Sequence, residues 1–473
     1  MTVGAVRDRT HLPGTVLGAA LAAAVVGPLS TRPLVAFLGA AVIAAVTASF
    51  LHPPMAAYLI LATTPLLAGM DRGAVIPVLR PNEALALLLG GAVLARALSG
   101  GRPGRRRRPL RTAEASLLFL IFAGSVVPLV WMVVRRKPVT QLDVFYALVL
   151  WKCLAVYLIV RCTIRTERQI RTCLLVAMVA GGIAALVGVL QTLRLFGVPS
   201  MIARYFAPEG YASADASFWG TSTVGHAQAM GDVMAFNVGL ALAWLAKGLP
   251  MRRLVLALIP LFVVGALTTG EFSSAIALVV GAVTVAAFTG TLRRSFLAAV
   301  PIVIVAGIIM QPVIRQRLSE FSTPAGIPPS WTGRLTNLQT YVLPELTRDY
   351  NYVLGVQPLA RVTKSTDPFR YGYIESGHAW FLWTGGIPFL VAFAVFLGTN
   401  LRLAARVGRR ATGAHSVAAT GSLGALTIVA VMTALDPHLT FRGAAELNFS
   451  LLALTHLGLG SAAGARGHDE ASG

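Results

Sequence analysis

Long apolar runs separated by short polar or basic links recur along almost the whole chain. The runs fall near residues 15–31, 34–51, 55–70, 83–99, 114–134, 143–160, 172–196, 224–246, 254–269, 272–291, 295–312, 376–399, 416–435 and 443–460. A helix needs about 20 apolar residues to cross a hydrocarbon core about 30 Å thick. Backbone facing lipid must satisfy its own hydrogen bonds, so each run predicts a transmembrane helix. The expectation is an all-α, polytopic membrane protein of about 12–14 transmembrane helices, with about fourteen the best count. Residues 1–473 read as a single integral-membrane domain. The first run passes through Ser30-Thr31-Arg32 straight into the next, as a retained helix does and a cleaved signal peptide does not.

The links set the orientation. Arginine is costly to translocate, so short cytoplasmic loops collect it. The densest cluster is Arg105, Arg106, Arg107 and Arg108, flanked by Arg96, Arg102 and Arg111. Placing it inside also puts inside the Arg161/Arg165/Arg168/Arg171, Arg252/Arg253, Arg293/Arg294 and Arg402/Arg406/Arg409/Arg410 clusters. Both termini are then cytoplasmic, and 461–473 reads as a small, polar, disordered tail. With spans directly on either side, the four-arginine run is topogenic, and no nucleic-acid partner is expected.

Composition narrows the class further. Hydrophobic residues make up 56% of the chain and charged residues 12%, against about 25% charged in an average soluble domain. The net charge of +21 alone would suit a nucleic-acid binder, but this apolar content would not. Disorder is excluded on the same ground. Cys153, Cys162 and Cys173 have no zinc-ligand spacing and are an odd number, which suits small apolar fillers better than a disulfide framework.

Two extracytoplasmic loops are long: 197–223, and 311–375, the largest polar segment of the protein. The second carries Arg315, Arg317, Arg334, Arg348, Arg361, Lys364 and Arg370 with Trp331, Tyr341, Tyr350, Tyr352, Phe369, Tyr371 and Tyr373. Basic residues outside run against the topogenic rule. Arginine with aromatic rings suits a surface that meets sugar and anionic phosphate, and equally one that meets lipid phosphates in an interfacial belt. No phosphate-loop, HExxH, GxSxG or CxxC motif is present, so the loop and its flanking helices are where chemistry is sought. Asp232 and Glu446 lie inside apolar runs, as proton-coupling groups of a transporter would, or as paired acids between helices. His226, at the outer end of its run, is a secondary candidate for a general base.

The segment from Tyr373 to Gly386 crosses from the loop into an apolar helix, with Ser376 as N-cap and His378 in the first turn. The positive end of the helix dipole there favours a neutral imidazole able to accept a proton. A late large external loop, then a His opening a span, then Gly385-Gly386, resembles the O-antigen ligase/polymerase superfamily of membrane glycan transferases. Trp331-Thr332-Gly333-Arg334-Leu335-Thr336-Asn337 resembles that family's Arg-bearing loop helix. Pro344 with Leu354-Gly355-Val356-Gln357 is similar to its Pro and Leu-Gly-x-Gly stretch, and Trp219-Gly220-Thr221 to its earlier Gly-Thr segment. The chain departs from the pattern at Glu271, where the family has Arg, and at Ala379, where Asn usually follows the His.

The resemblance implies metal-independent, inverting transfer with no cofactor, at the outer face of the plasma (inner) membrane. The donor would be a polyprenyl-diphosphate-linked glycan and the acceptor a glycan or glycolipid, with membrane lipids around. His378 and Arg334 would be catalytic. Arg204, Arg135, Arg136, Arg361, Arg370 and Glu271 are candidates for substrate binding, with Glu271 expected to pair with an arginine at the outer end of its helix. A polysaccharide polymerase is the nearest alternative, and a lipid-linked saccharide flippase or transporter is the alternative from another class.

Overall fold

The computed structural model describes residues 33–72, 79–99, 112–206, 219–322, 328–364 and 367–469. The predicted run at 15–31 and the Arg102–Arg111 cluster lie outside them. A helix covers every predicted run from 34–51 onward. They are α1 (Pro33–Leu51), α2 (Pro54–Leu67), α3 (Pro81–Ser99), α4 (Thr112–Val134), α5 (Gln141–Ala147), α6 (Val149–Thr163), α7 (Glu167–Thr192), the short α8 (Val198–Tyr205), α9 (Ala227–Ala246), α10 (Arg252–Thr268), α11 (Phe272–Phe288) and α12 (Leu292–Ile309). The large loop adds α13 (Gln311–Ser319), α14 (Pro329–Asn337) and α15 (Leu343–Thr347), and the chain continues with α16 (Gly377–Arg410), α17 (Gly413–Met432) and α18 (Ala444–Asp469). Among the described residues, eight segments are long and apolar enough to cross a membrane: α3, α4, α5 with α6, α7, α9, α12, α16 and α17. α2 and α11 are apolar but shorter, and α2 has Pro65 near its end. The loop expected at 311–375 is neither unstructured nor all-helical. It contains an antiparallel pair, β1 (Arg361–Lys364) and β2 (Asp367–Tyr373), with Arg361 opposite Tyr373. Where a polar tail was expected, α18 runs on to Asp469.

The helix starts follow local chemistry. Thr140 before α5 and Thr166 before α7 each form a capping box, with Asp143 and Gln169 three residues on. Ser376 caps α16 by accepting from the Ala379 amide at 3.4 Å. Burial then sorts the helices. In α9, 83% of the apolar window is buried, which makes it the centre of the bundle, whereas the figure for α12 is 6%. Phe296, Ile304 and Ile308 of α12 are exposed, an apolar surface that water would penalise and lipid would cover.

Contacts between links show that the chain alternates between two ends. At one end, Arg96 of α3 donates to the Phe50 and Leu51 carbonyls, Arg161 pairs with Glu114, and Glu167 accepts from the Ala414 amide. At the other, the Gly69 amide donates to Thr223, Gly220 to Thr268, and Arg334 pairs with Asp436. This second end, which collects the large loop, is called the loop end below.

Candidate functional site at the loop end

The start of α16 organises the site. Glu375 directly precedes the Ser376 cap, and Gly377 sits against the Thr433 and Asp436 carbonyls. His378 follows with its side chain exposed. The large loop returns to this point through α14. Arg334 lies 3.9 Å from Glu375 and 3.2 Å from Asp436, and Asp436 also accepts from Gln228 of α9 at 3.0 Å. Burial pushes the Asp436 carboxyl up to about 6 despite the nearby Arg334, which pulls it down. Two carboxylates thus hold the Arg334 guanidinium at the foot of the helix that presents His378, although the two residues are 44 positions apart in the chain.

Glycines on both partners explain how the loop docks. Gly386 breaks α16 with φ 66° and ψ −159°, and a Cβ there would collide with the Val353 carbonyl. The break lets the Ile387 amide donate to Tyr352, while the Val356 amide donates to Trp383 at 2.6 Å. Gly355, at φ 91°, packs against the Thr384 carbonyl. The Leu354-Gly355-Val356 and Gly385-Gly386 stretches are therefore two halves of one contact.

The remaining sequence candidates scatter. Arg135 donates to Asn351 and lies 5.6 Å over Trp131, while Arg136 is exposed at the end of α4. Arg204 is exposed on α8, over Tyr205. Arg361 opens β1 and Arg370 lies on β2. Glu271 precedes α11 and pairs with Arg317 at 3.6 Å. Arg317 also donates to the Gly270 carbonyl and stacks 3.5 Å over Trp219. Glu271 thus faces an arginine of the large loop, as expected from its place at the end of its helix.

Beside the Arg334 group is a second polar assembly. Asp232 pairs with His438 at 2.7 Å, and Lys152 with Glu446 at 2.5 Å, so both acids inside apolar runs have partners. His438 and His226 flank Phe441 at 4.7 and 5.4 Å. Arg72 and Arg80 both pair with Glu83 at 3.2 Å, and Arg72 stacks 4.3 Å over Phe145. Arg442 lies close enough to Arg80, Arg72 and Glu83 for their charges to act on it. Arg72, Arg80 and Arg442 were not singled out from the sequence. They sit in short links at the loop end, where no local pattern marks them.

Among the described residues no three His, Cys, Asp or Glu side chains group so as to hold a metal ion. Compared with known proteins, the chain matches no family model and none of the curated protein sequences.

Proposed function

We propose that this chain is a multi-pass membrane glycan transferase of the O-antigen ligase/polymerase type, with about fourteen spans. In this reading both termini are cytoplasmic, and the loop end faces the extracytoplasmic side of the cell membrane. The donor is a glycan on a polyprenyl diphosphate, and the acceptor is a hydroxyl of a glycan or glycolipid. His378 takes the acceptor proton as the hydroxyl oxygen attacks the anomeric carbon. The bond from that carbon to the diphosphate oxygen breaks, and the electron pair leaves with the lipid diphosphate. Arg334 stabilises the charge growing there. Asp436 and Glu375 act as positioning residues for Arg334.

The observation that carries this reading is the anchoring of Arg334 by Glu375 and Asp436 at the helix start where His378 is exposed. It is tested in membranes supplied with lipid-linked glycan and acceptor. His378→Ala is expected to lower transfer about 10²–10⁴-fold with the melting midpoint kept, as for loss of a general base. Unchanged transfer sinks the mechanism. A ladder of product lengths marks a polymerase and a single transfer marks a ligase. The buried Asp232–His438 pair favours one other reading, proton-coupled transport. Lipid-linked saccharide movement that Asp232→Asn abolishes and His378→Ala spares supports it.

A further inference from the structure

A polar group sealed inside the bundle takes no part in the proposed transfer. Asn237, in the middle of α9, is fully buried. Its Nδ2 donates to the Val233 carbonyl at 2.8 Å, which fixes the way the amide points. Its Oδ1 then has no hydrogen-bond partner among the described residues. Gly181 of α7 leaves the room for this amide, since a Cβ there would stand 2.6 Å from Nδ2. An unpaired amide oxygen is costly in an apolar interior, and surrounding lipid offers no donor.

Asn237 lines a cavity of about 10 Å³, whose other walls include Leu61, Thr64 and Pro65 of α2, Ala177 of α7 and Leu447 of α18. α2 brings two more oxygens to these walls. Pro65 has no amide hydrogen, so the Leu61 carbonyl, one turn before it, lacks the donor that a helix normally supplies. Thr64 adds a buried hydroxyl, which can donate or accept. The volume matches the least that the centre of one water molecule needs, about 10–15 Å³. Cavities that stay dry are apolar, whereas a buried water takes two to four polar partners. No carboxylate lines the cavity, and a bare cation there would cost far more than a neutral molecule.

We infer that this cavity binds one structural water molecule. The water donates to Asn237 Oδ1 and to the Leu61 carbonyl, accepts from the Thr64 hydroxyl, and so ties the proline turn of α2 to α9. Waters commonly re-satisfy the backbone freed by proline in a membrane helix. The tie supports the loop end, because the Pro65 carbonyl accepts from the Thr223 hydroxyl at 2.8 Å, and the Thr223 carbonyl from the Gly69 amide at 2.9 Å. None of this depends on glycan transfer.

The test exposes the full chain in nanodiscs to X-ray radiolysis in heavy-oxygen water, with oxidised residues mapped by mass spectrometry. Radicals formed from a bound water oxidise the side chains that touch it, even where bulk solvent does not reach. Wild type is expected to take up label at Leu61, Pro65 and Leu447, and not at Ile159 and Leu403, which are buried elsewhere. Asn237→Leu, which keeps the bulk and removes Oδ1, should lose that label. It should also raise amide exchange at Gly69 about tenfold, as for loss of one buried hydrogen bond. Wild type should melt at the same temperature in sodium chloride and in N-methylglucamine chloride. Failure of wild type to label these residues above Ile159 and Leu403 overturns the inference, whether or not the variant folds. So does a variant that keeps the label or exchanges as wild type does. A melting midpoint raised by sodium overturns it as well, since the occupant would then be a cation.

Discussion

Asp436 shows how a single carboxyl links the site to stability. Its pKa is raised from 3.8 to about 6, with burial outweighing the attraction of Arg334. The native state therefore holds this proton more tightly than the unfolded chain. The charged form carries a penalty of about 3 kcal/mol, complete above pH 6 and lost as pH falls through 6 towards 4. Asp436→Asn removes the titration. The stability of wild type relative to this variant should therefore rise by up to about 3 kcal/mol between pH 7.5 and 4. A gap that stays flat with pH counts against the assignment. At this scale the sequence marks residues that sit in a recognisable order. His378 and Arg334 stood out because each lies in a short local pattern, and Ser376 because a cap is a local device. Asp436 and Arg442 did not stand out. Asp436 gains its role from partners more than 100 positions away, and nothing local marks it.

Elements were easier to read than residues, because an apolar run long enough to span a bilayer leaves the backbone little choice but helix. What the runs conceal is how a helix is interrupted. The break in α16 at Gly386 follows from the close approach of Val353, which hydropathy does not encode. Gly386→Ala puts a Cβ into that carbonyl and a side chain into a backbone region that glycine alone occupies readily. The cost should be at least about 1–3 kcal/mol, with transfer lost because the Leu354–Val356 stretch is displaced. Wild-type stability in this variant would mean that the docking is dispensable. The short α13 is held differently, through Arg317 stacked on Trp219 and paired with Glu271. Arg317→Ala should cost about 1–2 kcal/mol and raise amide exchange across 311–319. Exchange confined to other segments speaks against the clamp. The β1–β2 pair escaped the sequence reading because two short strands inside a polar loop have no apolar periodicity to announce them.

Over the whole molecule, the two ends differ in what their arginines do. Several at one end lie against carbonyls, acids or a ring close to the chain's short links, as with Arg96, Arg161 and Arg409 over Phe288. At the loop end they gather into the groups around Asp436, Glu83 and Glu271. The positive-inside rule assigns the first end to the cytoplasm, because arginine there need not be translocated. In that orientation the arginines at the loop end run against the rule, and the role proposed for Arg334 would offset the cost of placing it there. The orientation has a direct test in the chain's own cysteines. Cys153 and Cys173 are buried, while Cys162 is exposed beside Arg161, at the end expected inside. A membrane-impermeant maleimide should therefore leave intact cells unlabelled and react with Cys162 in inverted vesicles. Phe196, 88% exposed at the loop end, supplies the opposite reporter. Phe196→Cys in a Cys162→Ser background should label in intact cells. If the two cysteines exchange these behaviours, the loop end faces the cytoplasm. A lipid-linked donor on the outer leaflet then cannot reach His378 or Arg334, and the transferase reading falls with the orientation.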